Sequence, residues 1–328
     1  MWFGVMLPRS HLAHRPRPRP MPGGAGRSLV TIGERLFRPA GGTRVPMSER
    51  PAQSQRYPGR TGDMSPEPRD EMRDYTGSGL LEGRRALATG GDSGIGRATA
   101  VAFAKEGADV AITYLEEDDD ARHTAGLVEA AGRRCVAFGG DMAEERHCRE
   151  VVEHTVRDLG GLDVLVLHHG TQTPVKDLRE IGVEQLRRTF DVNVFSLFWT
   201  VQQALDHMGP GSSIVVTGSI NGLRGNKTLI DYSASKAAAM SLAECLAQNL
   251  MDREIRVNCV APGPVWTPLI PATFDEERVE GFGQQAPMGR AADPDEIAPS
   301  YVFFASNRLS SYYTGQTLVP AGGEIHPG

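Results

Sequence analysis

The rhythm of hydrophobic and polar positions changes at Leu81. From there on, short β-rich apolar runs alternate with stretches long enough for a helix. The runs 85–89 (RALAT), 109–114 (DVAITY), 134–139 (RCVAFG), 163–167 (DVLVL), 213–218 (SIVVTG), 255–260 (IRVNCV) and 316–320 (QTLVP) predict strands. The stretches 95–107, 117–131, 143–159, 179–208, 231–252 and 294–306 predict helices. Nearly continuous apolar strands are buried on both faces, which requires a parallel sheet covered by helices on each side. Right-handed crossovers make this α/β arrangement a doubly wound, seven-stranded Rossmann-type sheet in a single domain, 81–328. No repeat at a fixed period is present.

Ahead of that pattern lie two different segments. Residues 47–80 are polar and rich in turn formers, so they predict an extended arm, with Tyr57 and Tyr75 available to anchor it to a neighbouring surface. Residues 1–46 contain HRPRPRPMPGGAG, whose Pro and Gly oppose both helix and sheet, and predict disorder. This start is Arg-rich and acid-poor, as transit peptides are, but lacks their amphipathic helix; it also lacks the apolar core of a secretory signal. Translation from Met47 is the other reading of the composition change. The chain's net charge of −6 is uneven: eight Arg against Glu34 give the first 46 residues about +7, leaving about −13 for the rest. A folded part of that sign argues against a nucleic-acid partner. No apolar run approaches a membrane span. Cys135, Cys148, Cys245 and Cys259 form no C-x-x-C pair, and their small apolar neighbours predict buried, reduced thiols in a cytoplasmic protein.

The first strand runs into TGGDSGIGRATA. Gly90, Gly94 and Gly96 open a helix directly after a strand. Such a turn brings backbone N–H groups and the positive end of the helix up to a pyrophosphate, and absent side chains avoid a clash. The spacing is G-x-x-x-G-x-G, and it is the strand–turn–helix context that points to a dinucleotide. Asp141 closes the third strand, where a carboxylate would accept from an adenine amine or serve as an ordinary strand-end cap.

Further on, Tyr232 and Lys236 stand four residues apart and share one helix face. An adjacent ammonium favours the phenolate, which predicts a lowered tyrosine pKa and a usable acid/base. Ser219 follows the fifth predicted strand, at the carboxyl edge where such folds bind ligands.

These residues together resemble the short-chain dehydrogenase/reductase family over about residues 80–325: TGGDSGIG at 89–96, Asn193 in FDVNVFS, Ser219, YSASK at 232–236, PGPVWT at 262–267 and the closing TGQTLVPAGG. The arm and glycine turn narrow the likeness to a bacterial branch that includes NADP-dependent aldehyde reductases and proteins labelled glucose or general-stress dehydrogenases. The resemblance implies an NAD(P)-dependent oxidoreductase acting on an aldehyde, ketone or sugar, and a homotetramer paired through the helices at about 192–208 and 231–252. Tyr232 would be the acid/base, Lys236 would bind the nicotinamide ribose, Ser219 would orient the carbonyl, and Asn193 would hold a relay water. Gly90, Asp92, Ser93, Gly94, Ile95, Gly96, Tyr114, Asp141, Met142, Gly170, Pro262, Gly263, Val265 and Thr267, with Tyr232 and Lys236, would contact the cofactor.

The sequence departs from that pattern at residues 167–170. The family carries Asn-Asn-Ala-Gly there; this chain has Leu-His-His-Gly, so the strand-bracing hydrogen bonds of the first asparagine must be lost or rerouted. A cofactor-binding sensor without turnover is the alternative this raises. Adjacent histidines also suggest a metal or a pH-sensitive site, but neighbours on an extended strand point to opposite sides, so no metal is expected. At the second strand's tip Thr113 and Tyr114 are neutral, Ser93 is neutral, and Arg97 belongs to the helix's first turn. NADP is the expected cofactor on the branch resemblance, with NAD the other choice. The acid run 116–120 predicts a solvated helix start. Residues 268–291 predict a lid, with Trp266, Phe274 and Phe282 able to face substrate or pack inward.

Overall fold

The structure is a computed structural model that describes residues 50–325. The Arg/Pro-rich segment 1–46 and the Met47 start lie outside the described residues. In chain order the elements are β1 (Arg85–Thr89), α1 (Gly94–Lys105), β2 (Asp109–Tyr114), α2 (Asp118–Ala130), β3 (Cys135–Gly139), α3 (Glu145–Leu159), β4 (Val164–Leu167), α4 (Val183–Phe190), α5 (Ser196–Ala204), β5 (Ser213–Thr217), α6 (Ile220–Arg224), α7 (Ile230–Asn249), β6 (Arg256–Val260), α8 (Leu269–Thr273), α9 (Glu276–Glu280), α10 (Pro294–Ala305), α11 (Asn307–Ser310) and β7 (Thr317–Leu318). The strands form one parallel sheet in the order β3-β2-β1-β4-β5-β6-β7.

Strand alternation feeds two cores. Ala86 and Ala88 of β1 and Val164 and Val166 of β4 point to the layer that holds α1 and α10. Leu87, Leu165 and Leu167 point to the layer that holds α3, α5 and α7. Both layers are largely apolar and buried, and the polar strand residues that face them, such as Ser213, Arg256 and Asn258, are hydrogen-bonded. Strand order reverses between β1 and β4, and the crevice beyond their carboxyl ends is where a doubly wound sheet takes its ligand.

Three expectations are corrected. The predicted helix 179–208 is broken: a 3-10 turn at Leu178–Glu180 precedes α4, and a wide π turn at Asp191–Phe195 separates α4 from α5. The extra residue in that turn aims Asn193 back at the chain after β4. The last strand shrinks to Thr317–Leu318, because it lies at the sheet edge and Pro320 has no N–H to add to the ladder. The thiols are all free, but only Cys148 and Cys259 are buried; Cys245 sits on the outward face of α7.

The arm is tied down along its length. Tyr75 hydrogen-bonds Glu106, whose other oxygen accepts from the N–H groups of Ser78 (2.9 Å) and Leu80 (2.8 Å). Lys105 Nζ donates to the carbonyl of Met72 at 2.6 Å. Trp266, fully buried, donates Nε1–H to Pro66 O at 2.9 Å, and Arg50 stacks 4.8 Å from its ring. Trp266 therefore fixes the arm and does not face substrate. Tyr75 anchors as expected, whereas Tyr57 ends in the wall of the ligand crevice.

Candidate active site

A cavity of about 470 Å³ opens at the carboxyl ends of the central strands. Every site residue expected from the sequence lines it except Gly96 and Asn193, which lie just behind its wall. The glycine turn is shaped as the sequence requires. Gly90 and Gly94 take φ of +65° and +52°, the left-handed region. A Cβ on Gly96 would lie 1.8 Å from the carbonyl oxygen of Gly90, so only glycine lets α1 start this close to β1. The cradle left by the missing side chains, at a helix N-terminus facing the cavity, fits a dinucleotide pyrophosphate.

One detail of that turn was not legible. The Gly94 N–H is already taken by the Asp70 carboxylate of the arm, at 2.9 Å. Asp70 also meets Arg97 at 3.3 Å, and Arg97 in turn bonds Asp120 (2.6 Å), Thr124 (3.0 Å) and the carbonyl of Asp92 (2.9 Å). Arg97 is thus spent on packing the turn. The acid run 116–120 is correspondingly not all solvated. Asp120 faces inward to Arg97 and to the N–H of Thr61, and Glu117 accepts the N–H groups of Leu115 and Glu116. Burial, then the neighbouring Glu117, pushes the Asp92 carboxyl up to about 7. Asp141 accepts from the N–H of Ala143 (2.8 Å) and from Arg188 (2.5 Å), the arrangement of a strand-end cap on the cavity rim.

At the other end stand the phenol, the ammonium and the serine. α7 places Tyr232 and Lys236 one turn apart, with Nζ 5.9 Å from the tyrosine ring. Ser219 is the N-cap of α6: its oxygen accepts the N–H of Asn221 at 3.1 Å, and its hydroxyl meets the Tyr232 phenol. Burial raises the Tyr232 pKa, and the Ser219 hydrogen bond opposes this only in part. The expected depression by Lys236 is absent, because the lysine points elsewhere. Its Nζ donates to Thr217 O at 2.8 Å, and burial lowers its own pKa to about 8. Asn193 clasps the chain after β4, accepting from Thr171 N–H and donating to Thr171 O, both at 2.8 Å, and donating to Ser235 at 3.0 Å. A Cβ on Gly170 would come within 3.3 Å of Asn193 and 3.4 Å of Lys236 Nζ, so glycine lets this group close up.

The departure at 167–170 resolves into a second brace. Leu167 is buried in the core. The two histidines after it point apart and take over the polar ties at the end of β4. His168 Nδ1 meets Thr217 Oγ1 of β5 at 3.1 Å. His169 Nδ1 meets Thr89 Oγ1 of β1 at 2.6 Å, while its Nε2 meets Ser196 at 2.7 Å. Burial lowers both histidine pKa values to about 3, so both are neutral near pH 7. Sequence reasoning singled these histidines out as a departure and did not foresee the brace they form. Over the substrate end, Phe274 and Phe282 line the cavity and pack together, 6.1 Å between centroids, with Arg278 stacked 3.9 Å from Phe274.

Known proteins are similar to this chain in sequence and in fold. The profile of a family described as enoyl-(acyl carrier protein) reductase matches residues 90–324. General stress protein 39 of Bacillus subtilis is 52% identical over 278 residues, 84% of this chain and 97% of that protein. The NADPH-dependent aldehyde reductase 1, chloroplastic, of Arabidopsis thaliana is 44% identical over 274 residues, 82% of this chain and 95% of that protein. Among solved structures, a short-chain dehydrogenase from Burkholderia cenocepacia in complex with NADP superimposes with a TM-score of 0.70 at 33% identity, covering 74% of this chain and 98% of that one. Family profile, relatives and fold agree: the chain belongs to the short-chain dehydrogenase/reductase family.

Proposed function

We propose that this chain is an NAD(P)-dependent oxidoreductase that reduces a carbonyl, with an aldehyde as the favoured substrate class. The observation that carries this reading is the Tyr232 phenol held by Ser219 at the wall of the dinucleotide cavity, one turn from Lys236. NADP or NAD would be held by the glycine turn (Gly90, Asp92, Ser93, Ile95, with Gly96 behind), the β2 and β3 tips (Tyr114, Asp141, Met142), Gly170, Lys236, and the Pro262, Gly263, Val265 and Thr267 segment. When bound, the dinucleotide supplies the hydride.

The chain's own residues handle the proton. A raised pKa keeps Tyr232 protonated at neutral pH, which suits an acid that protonates the carbonyl oxygen during reduction. Ser219 accepts the N–H of Asn221, and its O–H, which meets the Tyr232 phenol, stands where it can turn to orient the same oxygen. Lys236, with a pKa near 8, is a proton source close to neutrality once it leaves Thr217. Asn193 holds the loop at Gly170 and Thr171 against which Lys236 packs. The rival reading, a sensor without turnover, drew only on the 167–170 departure, where hydrogen-bonded histidines now stand.

Residues 50–80 act as an arm on the catalytic domain that begins at residue 81. A homotetramer paired through α5 and α7 accords with Phe195 and Phe198, both more than 40% exposed around the start of α5. Among the described residues no helix is long and apolar enough to cross a membrane, which accords with a cytoplasmic place.

Following NADPH and NADH absorbance with a panel of short aldehydes, diketones and sugars tests the activity. Tyr232→Phe should lower kcat about 10²- to 10⁴-fold while leaving dinucleotide binding intact. Unchanged turnover in that variant would remove Tyr232 as the acid and sink the mechanism.

A further inference from the structure

One buried hydrogen-bond chain beside the cavity has only one consistent proton arrangement. Tyr301 of α10 is fully buried, and among the described residues its hydroxyl reaches only Thr217 Oγ1, at 2.8 Å, and His168 Nδ1, at 3.5 Å. Among the described residues Thr217 Oγ1, on a residue that itself borders the cavity, in turn reaches only Tyr301 and His168 Nδ1, at 3.1 Å. Two hydroxyl protons must therefore be accepted by three atoms: two oxygens and Nδ1. A proton on Nδ1 would leave one buried hydroxyl with no acceptor, a desolvation penalty that native interiors avoid. With Nδ1 bare, the chain closes: Tyr301 donates to Thr217, and Thr217 donates to His168. The imidazole proton must then sit on Nε2. That atom meets no protein group among the described residues and is not among the buried polar atoms left without a partner. The ring lines the dinucleotide cavity, so Nε2–H reaches into it.

We propose that His168 is a cofactor-binding residue, a neutral imidazole whose Nε2–H donates to an acceptor oxygen of the bound dinucleotide and whose tautomer is set by Tyr301 through Thr217. This rests on the reading of the cavity as a dinucleotide site. It gives the sequence departure a role, because a side-chain donor stands in the family's asparagine position with its orientation fixed from behind. Burial, reinforced by the charge on Lys236, lowers the His168 pKa to about 3, in keeping with a ring that stays neutral.

Two measurements test it. Titration of NADPH and of NADH into the full chain, read by nicotinamide fluorescence, should show binding by the wild type. His168→Leu should weaken it about three- to tenfold, one neutral hydrogen bond, and His168→Gln, which keeps an amide donor, should recover part of the loss. Nitrogen-15 spectra of the histidine-labelled wild type at pH 7 should show the His168 resonances, assigned by their loss in His168→Gln, with the proton on Nε2. In Tyr301→Phe, where no phenol proton demands an acceptor, the Nδ1–H form should appear. A proton on Nδ1 in the wild type overturns the proposal even if His168→Leu fails to fold, and so does wild-type affinity in His168→Leu. A wild type that binds neither dinucleotide removes the cavity reading itself, and the proposal with it.

Discussion

The cleft has two walls built by different rules. On the sheet wall, strand ends, the glycine turn and the start of α7 place their groups through local spacing: a turn of helix between Tyr232 and Lys236, five residues between Gly90 and Gly96. On the arm wall, Tyr57, Pro58 and Gly59 reach the cavity only because distant contacts pin residues 50–80. Two glycines show the parallel. A Cβ on Gly96 would lie 1.8 Å from Gly90 O, and a Cβ on Gly77 of the arm would lie 1.8 Å from Lys105 O. The same steric demand shapes ligand contact on one wall and chain docking on the other. The walls meet at Asp70, an arm carboxylate on a glycine-turn amide.

That junction carries the largest expected effect. Asp70→Asn keeps the shape and an acceptor for Gly94 but removes a charge beside buried Arg97, which retains Asp120. Breaking one of two buried pairs should cost up to about 3 kcal/mol, the figure for an uncompensated charge, reduced by the remaining Asp120 and by the burial that pushes the Asp70 carboxyl up to about 6. Urea unfolding at pH 7 measures it. A midpoint equal to that of wild type would show that the arm merely lies on the turn. Next comes Gly96→Ala. Its Cβ must displace the Gly90 carbonyl, so the cradle shifts while the arm stays docked. The kcat/KM should fall on the order of a hundredfold, beyond what the accompanying loss in the urea midpoint from the backbone clash accounts for. Equal losses of stability and activity in both variants would merge the two walls into one unit.

The sheet wall was legible because its chemistry follows backbone periodicity. Strands, their order of burial and the Tyr232–Lys236–Ser219 group all follow from spacings of a few residues, and the family resemblance extended them to Asn193 and Thr267. The arm wall was hidden because its ties span long separations: 24 residues from Asp70 to Gly94, 200 from Pro66 to Trp266, 223 from Met72 to Asp295. No local pattern marks which carboxylate will meet which amide. The same limit explains the acid run, where Asp120 turned inward to an arginine that periodicity assigned to a helix's first turn. It also explains Tyr232, whose pKa direction depends on burial and on Thr217 O drawing the ammonium away, neither of which a four-residue spacing contains.

The smallest effect sharpens the sheet wall by itself. Burial lowers the Lys236 pKa from 10.5 to about 8, so in the free protein the ammonium is present below pH 8 and lost above it. If the charged form is what receives the dinucleotide's oxygens, binding raises that pKa, and affinity must fall as pH rises through 8. With the bound pKa well above the working range, the dissociation constant should grow about fourfold between pH 7 and 8.5. Lys236→Met should bind more weakly at pH 7 and show a flat profile over the same window. Asp92, a carboxyl held near 7 on the same cavity, also titrates close to this range. Its ionisation as pH rises would also repel a phosphate, but half of that change falls below pH 7. Titrations at pH 6, 7 and 8.5 separate the two: a loss concentrated above pH 7.5 that vanishes in Lys236→Met belongs to the lysine, whereas a loss that survives the substitution assigns the pH dependence to the turn.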